Sequence, residues 1–265
     1  SAQPTLLRHM ELIDTHCHLD VPEFDRDRDA VLARAQAAGV TTIVNPGIHA
    51  DEWPQLIEFA NNSQGVHYAL GLHPVYLDRH RDADLERLEQ LLGESRPVAV
   101  GEIGLDFQLR ELDRDRQQQL FEAQLTIARD AGLPVILHVR KAHDQVLQAL
   151  KRIRVPGGIA HAFNGSLQQA EQYIELGFRF GFGGMLTFER SRRLRELAAG
   201  LPLESIVLET DAPDLTVAAH RGERNSPEYL PDCLAALAGV RGIAPEAAAR
   251  ATSANARAVL GLDAV

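Results

Sequence analysis

Leu12-Ile13-Asp14-Thr15-His16-Cys17-His18 is the stretch from which the chain is best read. In an extended strand alternate side chains point the same way, so Asp14, His16 and His18 share one face while Thr15 and Cys17 share the other. Two imidazoles then converge on one point. Neutral imidazole is among the commonest ligands of zinc and its neighbours, so the pattern predicts half of a metal site. A lone His-x-His fits ordinary hydrogen-bonded histidines equally well, and the rest of the chain has to decide.

Outward from this strand, apolar runs and amphipathic stretches alternate. A helix is expected over 25–38, with Val31, Ala35 and Ala38 on one face and Gly39 to end it, then a strand over 40–44. Helices near 51–62 and 81–92 precede strands at 66–71 and 97–100. A longer helix with Phe121, Leu125 and Ala128 inward stops at Gly132, before a strand at 134–137. A helix near 142–152, a strand at 158–160, a capping-box helix starting at Ser166 with Gln169, and strands at 178–182 and 205–208 around a helix at 190–199 complete the series. About eight strands, each trailed by a helix, imply a parallel sheet and an α/β TIM (β/α)8 barrel in one domain over residues 10–265, preceded by a tail at 1–9. The rival open doubly wound sheet would usually show Gly-x-Gly-x-x-Gly after its first strand, and none occurs there. The longest irregular stretch, 212–225, is a candidate lid.

Composition narrows the classes further. The 265 residues carry 45% hydrophobic and 24% charged side chains, ordinary for a globular protein. Two cysteines, Cys17 and Cys233, supply neither a disulfide framework nor a thiolate zinc cage, and Cys17 reads as a buried structural thiol. No run approaches a membrane span and no signal-peptide core opens the chain, so a cytoplasmic protein is expected. A net charge of −10 argues against an extended nucleic-acid-binding surface, though not against a local cationic pocket. No dimer stripe stands out, which leaves a monomer open.

In a barrel of this kind the carboxyl ends of the strands face one basin. The strand ends carry His16 and His18; Gly71-Leu72-His73-Pro74; Gly101-Glu102-Ile103-Gly104-Leu105-Asp106; His138; His161; and Glu209-Thr210-Asp211. Six such ends in one chain are poorly explained as isolated caps. Together with His161-Ala162-Phe163-Asn164-Gly165, Leu208-Glu209-Thr210-Asp211-Ala212-Pro213 and Arg224-Asn225, these motifs resemble, in order and over nearly the whole chain, the TatD-like metal-dependent hydrolases and deoxyribonucleases of the amidohydrolase superfamily. The segment 71–79 and the turn at 211–214 look most like the YjjV-type members. The resemblance implies a distorted metal-dependent-hydrolase barrel with two divalent ions, His16, His18 and Asp211 holding one, His138 and His161 the other, and Glu102 bridging them.

Four imidazoles and two carboxylates suit zinc, manganese or nickel, with magnesium as a possible working ion. Such a pair of ions would activate water against a phosphodiester, with Asp211 as ligand, as base, or both. The expected substrate is DNA, trimmed from a 3′ or 5′ end, or a small phosphoester. The alternative keeps the site and changes the bond, to that of an amidase, lactonase or carboxylic ester hydrolase. A Schiff-base aldolase would need an inward lysine, and only Lys141 and Lys151 exist; a non-catalytic metal-binding protein is the last reading. His73, Arg224, Asn225 and the lid residue His220 are candidates for holding substrate phosphate, with capping and a solvated loop as the bland roles of His73 and His220. Asp14, Asp106 and Glu209 would either orient ligand imidazoles or anchor strand ends. His9, His49, His67, His80 and His143 fit no strand-end pattern and read as surface or capping residues. Asn164 and Ala162 depart from the commoner family residues at the rim.

Overall fold

The computed structural model describes residues 10–262; the expected tail at 1–9 lies outside them. Eight strands alternate with helices: β1 (Leu12–Asp14), α1 (Arg28–Ala37), β2 (Val40–Pro46), α2 (Trp53–Asn61), β3 (Val66–Leu70), α3 (Ala83–Glu94), β4 (Ala99–Asp106), α4 (Arg114–Ala131), β5 (Val135–Arg140), α5 (His143–Arg152), β6 (Gly158–Ala160), α6 (Leu167–Glu175), β7 (Phe178–Phe182), α7 (Arg192–Gly200), β8 (Ile206–Leu208) and α8 (Leu230–Arg241). A ninth helix, α9 (Pro245–Leu260), ends the chain, and periodicity had not singled out either α8 or α9. The strands lie in the order β1 to β8 in one sheet, and the registered pairs are parallel. This is the (β/α)8 TIM-barrel fold. No helix among the described residues is long and apolar enough to cross a membrane.

The chain forms two compact units, one of residues up to Asn45 with Phe180–Ala258, the other of Pro46–Arg179 with the chain from Val259. In the first, β7 pairs β8 (Phe180 opposite Ile206) and β1 pairs β2 (Ile13 opposite Thr42). The ends of β1 and β8 are knitted beyond the strands: Thr15 N–H donates to Leu208 O at 3.0 Å, Asp211 N–H to His16 O at 2.8 Å and His18 N–H to Ala212 O at 2.9 Å. Phe24, Val31, Phe180, Phe182, Leu230 and Leu234 are buried here. Because β1 ends at Asp14, His16 and His18 belong to the extended segment after it and not to the strand.

In the second unit β3 to β6 pair in sequence order, with Gly104 opposite His138 and Asp106 opposite Arg140. Trp53, Leu88, Phe121, Leu125, Tyr173 and Phe178 form its core. The capping box is present as expected: Ser166 Oγ accepts from Gln169 N–H, and the Gln169 side chain accepts from Ser166 N–H. Helix α4 stops at Gly132, whose φ of 69° suits the residue after a helix end. Its inner face, beyond the apolar residues expected, carries two buried glutamines. Gln117 accepts from Asp106 N–H at 2.7 Å and donates to Asp106 O at 3.1 Å, and Gln124 accepts from Leu72 N–H at 2.7 Å. These satisfy backbone groups just where β3 and β4 stop, where no neighbouring strand reaches them.

Candidate metal centre

Imidazoles and carboxylates, the side chains that most often ligate metals, gather in and just past the strands of each unit. In the second, Glu102 of β4 is buried, and three imidazole nitrogens approach its Oε2: His73 Nε2 at 3.3 Å, His138 Nδ1 at 3.3 Å and His161 Nε2 at 4.0 Å. His73, Glu102 and His138 form a group whose donor atoms are close enough to hold one ion. In the first unit His16 Nε2 and His18 Nε2 each lie 3.6 Å from Asp211 Oδ1, with their rings edge to face at 5.0 Å. These separations exceed a good N–H···O bond. Two donors about 2.1 Å from a shared tetrahedral ion are about 3.4 Å apart, so both clusters fit a divalent cation better than they fit hydrogen bonds.

The structure also sets the tautomer of His138. Its Nε2 donates to Asp106 Oδ2 at 2.7 Å, which leaves Nδ1 as the ring atom facing Glu102. Arg140 Nε donates to the same oxygen at 2.5 Å. Burial pushes the Asp106 carboxyl up, but the His138 and Arg140 bonds outweigh it and bring it down to about 2. For His138 burial works downward, and the neighbouring Asp106 and Glu102 carboxylates carry the net shift upward. Asp106 therefore orients the His138 imidazole. Replacing Asp106 with Asn should lower metal affinity about 10- to 100-fold with little change in fold, read by titrating the chelated protein with zinc.

Asp14 takes the other role. Strand alternation would put it on one face with His16 and His18, but β1 stops at Asp14, and its carboxylate accepts from Thr210 Oγ1 at 2.6 Å, Thr210 N–H at 3.0 Å and His16 N–H at 3.2 Å, anchoring the end of β8. Burial raises it to about 7, against those bonds. Glu209 is buried over Gly181, where any side chain would collide with its carboxylate.

Several expected site residues are placed differently. Arg224 does not present its guanidinium to a phosphate: it grips Asp27 with two bonds of 2.9 and 2.7 Å, donates to Glu23 O and stacks 4.6 Å over Phe24. Asn225 is buried, and its amide donates to the carbonyls of Thr210 and Asp214 and accepts from Ser226 N–H. These contacts tie the end of the 212–225 stretch to Asp27 and to the chain after β8. His220 bonds Glu223 and stacks on Tyr229 at 3.8 Å.

His73 does cap its loop, accepting from Val75 N–H through Nδ1, while Nε2 faces Glu102. With Nδ1 accepting an N–H bond the ring's proton sits on Nε2, so His73 meets Glu102 as a donor. His49, His80 and His143 are buried, not on the surface. His80 bonds His73 O at 2.7 Å, and His143 bridges Tyr173 Oη at 2.8 Å and Asn164 Oδ1 at 2.7 Å, bracing the segment after His161. Lys141 and Lys151 are both exposed, and Lys151 bonds Gln172, which removes the support for an aldolase.

A parallel (β/α)8 chain with imidazole and carboxylate clusters at its strand ends is a metal-binding barrel, the architecture of metal-dependent hydrolases. Residues 13–261 match the model of the family described as TatD related DNase, and the chain belongs to that family. It is 46% identical over 233 residues to the metal-dependent hydrolase YjjV of Escherichia coli K12, covering 86% of this chain and 90% of the relative. It is 36% identical over 259 residues, 95% of this chain and 98% of the relative, to the 3′-5′ ssDNA/RNA exonuclease TatD of Klebsiella pneumoniae. Among solved structures it is similar to the E. coli K12 YjjV, described as a TatD homolog, with a TM-score of 0.91, 42% identity and coverage of 95% of this chain and 98% of the other.

Proposed function

We propose that this metal-dependent hydrolase cleaves phosphodiester bonds, removing nucleotides from the 3′ end of single-stranded nucleic acid, and that it uses two divalent ions. His16, His18 and Asp211 hold one ion in this reading, and His138 and His161 hold the other. Glu102 would bridge the two. The observation that carries the reading is the cluster around Glu102, three imidazoles turned onto one buried carboxylate with His138 oriented from behind by Asp106. When bound, the ions would supply the positive charge that makes water acidic near neutral pH and that offsets charge on a phosphoryl group.

The chain's own residues do the rest. Asp106 keeps one nitrogen of His138 aimed at the ion site. Asp211, held by the pairing of its N–H with His16 O, presents its carboxylate between two imidazoles and would orient the attacking water and receive its proton. The net charge of −10 favours a strand end over the length of a duplex, because little of the surface can release counterions from nucleic acid. The name of the Klebsiella relative supports both the substrate and the polarity.

To test this, the protein would be chelated, reloaded separately with zinc, manganese, nickel or magnesium, and given 5′-labelled single-stranded DNA, RNA and small carboxylic esters and lactones. Metal-dependent shortening of the labelled strands from the 3′ end is expected. Turnover of esters or lactones with intact nucleic acid would instead establish the carboxylic ester hydrolase alternative.

A further inference from the structure

Tyr76 lies three residues beyond His73, in the short 3-10 segment Pro74–Arg79, and its own backbone (φ −97°, ψ 32°) breaks that segment's regularity. The residue is 40% exposed; the other large apolar residues exposed to this degree among the described residues, Leu167 and Leu215, are aliphatic. The phenol ring is not loose on the surface. It meets the His73 imidazole edge to face, with centroids 5.4 Å apart and planes at 86°. An exposed aromatic is thus held at a fixed angle to a residue of the Glu102 cluster. A π-face beside a hydrolytic centre is what unstacked bases bind, at roughly 1–3 kcal/mol per base and with little regard to sequence.

Arg140 is tied to the same cluster through Asp106. It follows His138 by two positions on β5, and its Nε is spent on Asp106 Oδ2, the oxygen that also orients His138. The side chain is 43% exposed, and its terminal Nη groups make no hydrogen bond among the described residues. A guanidinium tethered at Nε presents a rigid outer edge of N–H donors, a shape suited to two phosphate oxygens. His73 and His138 stand with ring centroids 4.7 Å apart. A base-binding face and a phosphate-binding edge therefore border one candidate ion site. In a chain with a net charge of −10, local contacts of this kind matter for holding a polyanion.

We propose that Tyr76 and Arg140 form a recognition pair for single-stranded nucleic acid, Tyr76 stacking on a base and the Nη edge of Arg140 binding non-bridging oxygens of a backbone phosphate. The proposal rests on the nuclease reading and deepens it, since a small phosphoester would gain nothing from the ring.

The test uses fluorescence anisotropy of metal-loaded protein with two probes of equal length, a phosphorothioate-linked oligothymidylate that resists cleavage and its abasic counterpart. The wild-type protein should prefer the base-bearing strand. Tyr76→Ala should lose about tenfold in affinity for that strand and under twofold for the abasic one, whereas Tyr76→Phe should keep the preference. Arg140→Ala should weaken both strands alike, by about tenfold, with Arg140→Lys between it and the wild type. Tyr76→Leu, which keeps the volume and loses the π-face, replaces Tyr76→Ala if that variant is unfolded by circular dichroism. Equal losses on both strands for the tyrosine variants, or unchanged binding in the tyrosine and arginine variants, would overturn the pair. A wild-type protein that binds neither strand and degrades no nucleic acid would overturn the nuclease reading itself, which separates the two failures.

Discussion

Glu102→Gln should reduce kcat/KM by about a thousandfold or more and deplete both ions together. The carboxylate is buried and faced by His73, His138 and His161, so an amide there keeps the volume and removes the only negative charge among those four side chains. A divalent ion contributes several kcal/mol of charge stabilisation, and each 1.4 kcal/mol is about a factor of ten in rate. His138→Ala is the discriminating partner. It removes one imidazole and should lower the content of one ion while sparing the other. Elemental analysis of both variants beside their turnover of single-stranded DNA checks the difference, and equal metal content in the two would contradict the bridging role of Glu102.

The second large effect is structural. Gly104→Ala should destabilise the protein by about 4 kcal/mol or more, or prevent folding, because a Cβ at this position would sit inside the carbonyl oxygen of His138 on the neighbouring strand. The clash is with backbone, so no rotamer change relieves it. Relief requires β4 and β5 to separate at the point where Gly104 lies opposite His138, which moves a candidate ligand as well as the fold. Chemical denaturation is the measurement, with Gly93→Ala as control: a Cβ at Gly93, in α3, meets nothing within 4 Å, and a helical alanine there should be neutral or slightly stabilising. Comparable stability of the two variants would show that β4 and β5 tolerate the added carbon.

Much of this follows from local pattern. The repeat of apolar runs and amphipathic stretches, the capping box at Ser166 and the stop at Gly132 are short-range features set by strand and helix periods and by the chemistry of helix ends, and they locate the elements to within a few residues. The candidate ligands were legible for the same reason: they stand in or just past the strands, and the motifs around them are contiguous in the chain.

What the sequence by itself determined about this protein is the order of its elements and the side chains available at each strand end. Tertiary structure alone decided which partner each side chain takes, because a hydrogen-bonding group chooses among neighbours brought close by folding, not by sequence. Asp14 and Asp106 read alike, yet the first is claimed by Thr210, 196 positions away, and the second by His138 and Arg140 on the adjoining strand. Arg224 looked like a phosphate ligand until Asp27, 197 positions away, proved to hold it. Tyr76 had no periodic signature, and only its exposure and its angle to His73 distinguish it. Buried polar groups must be satisfied, and which of them satisfy one another is a property of the packed chain.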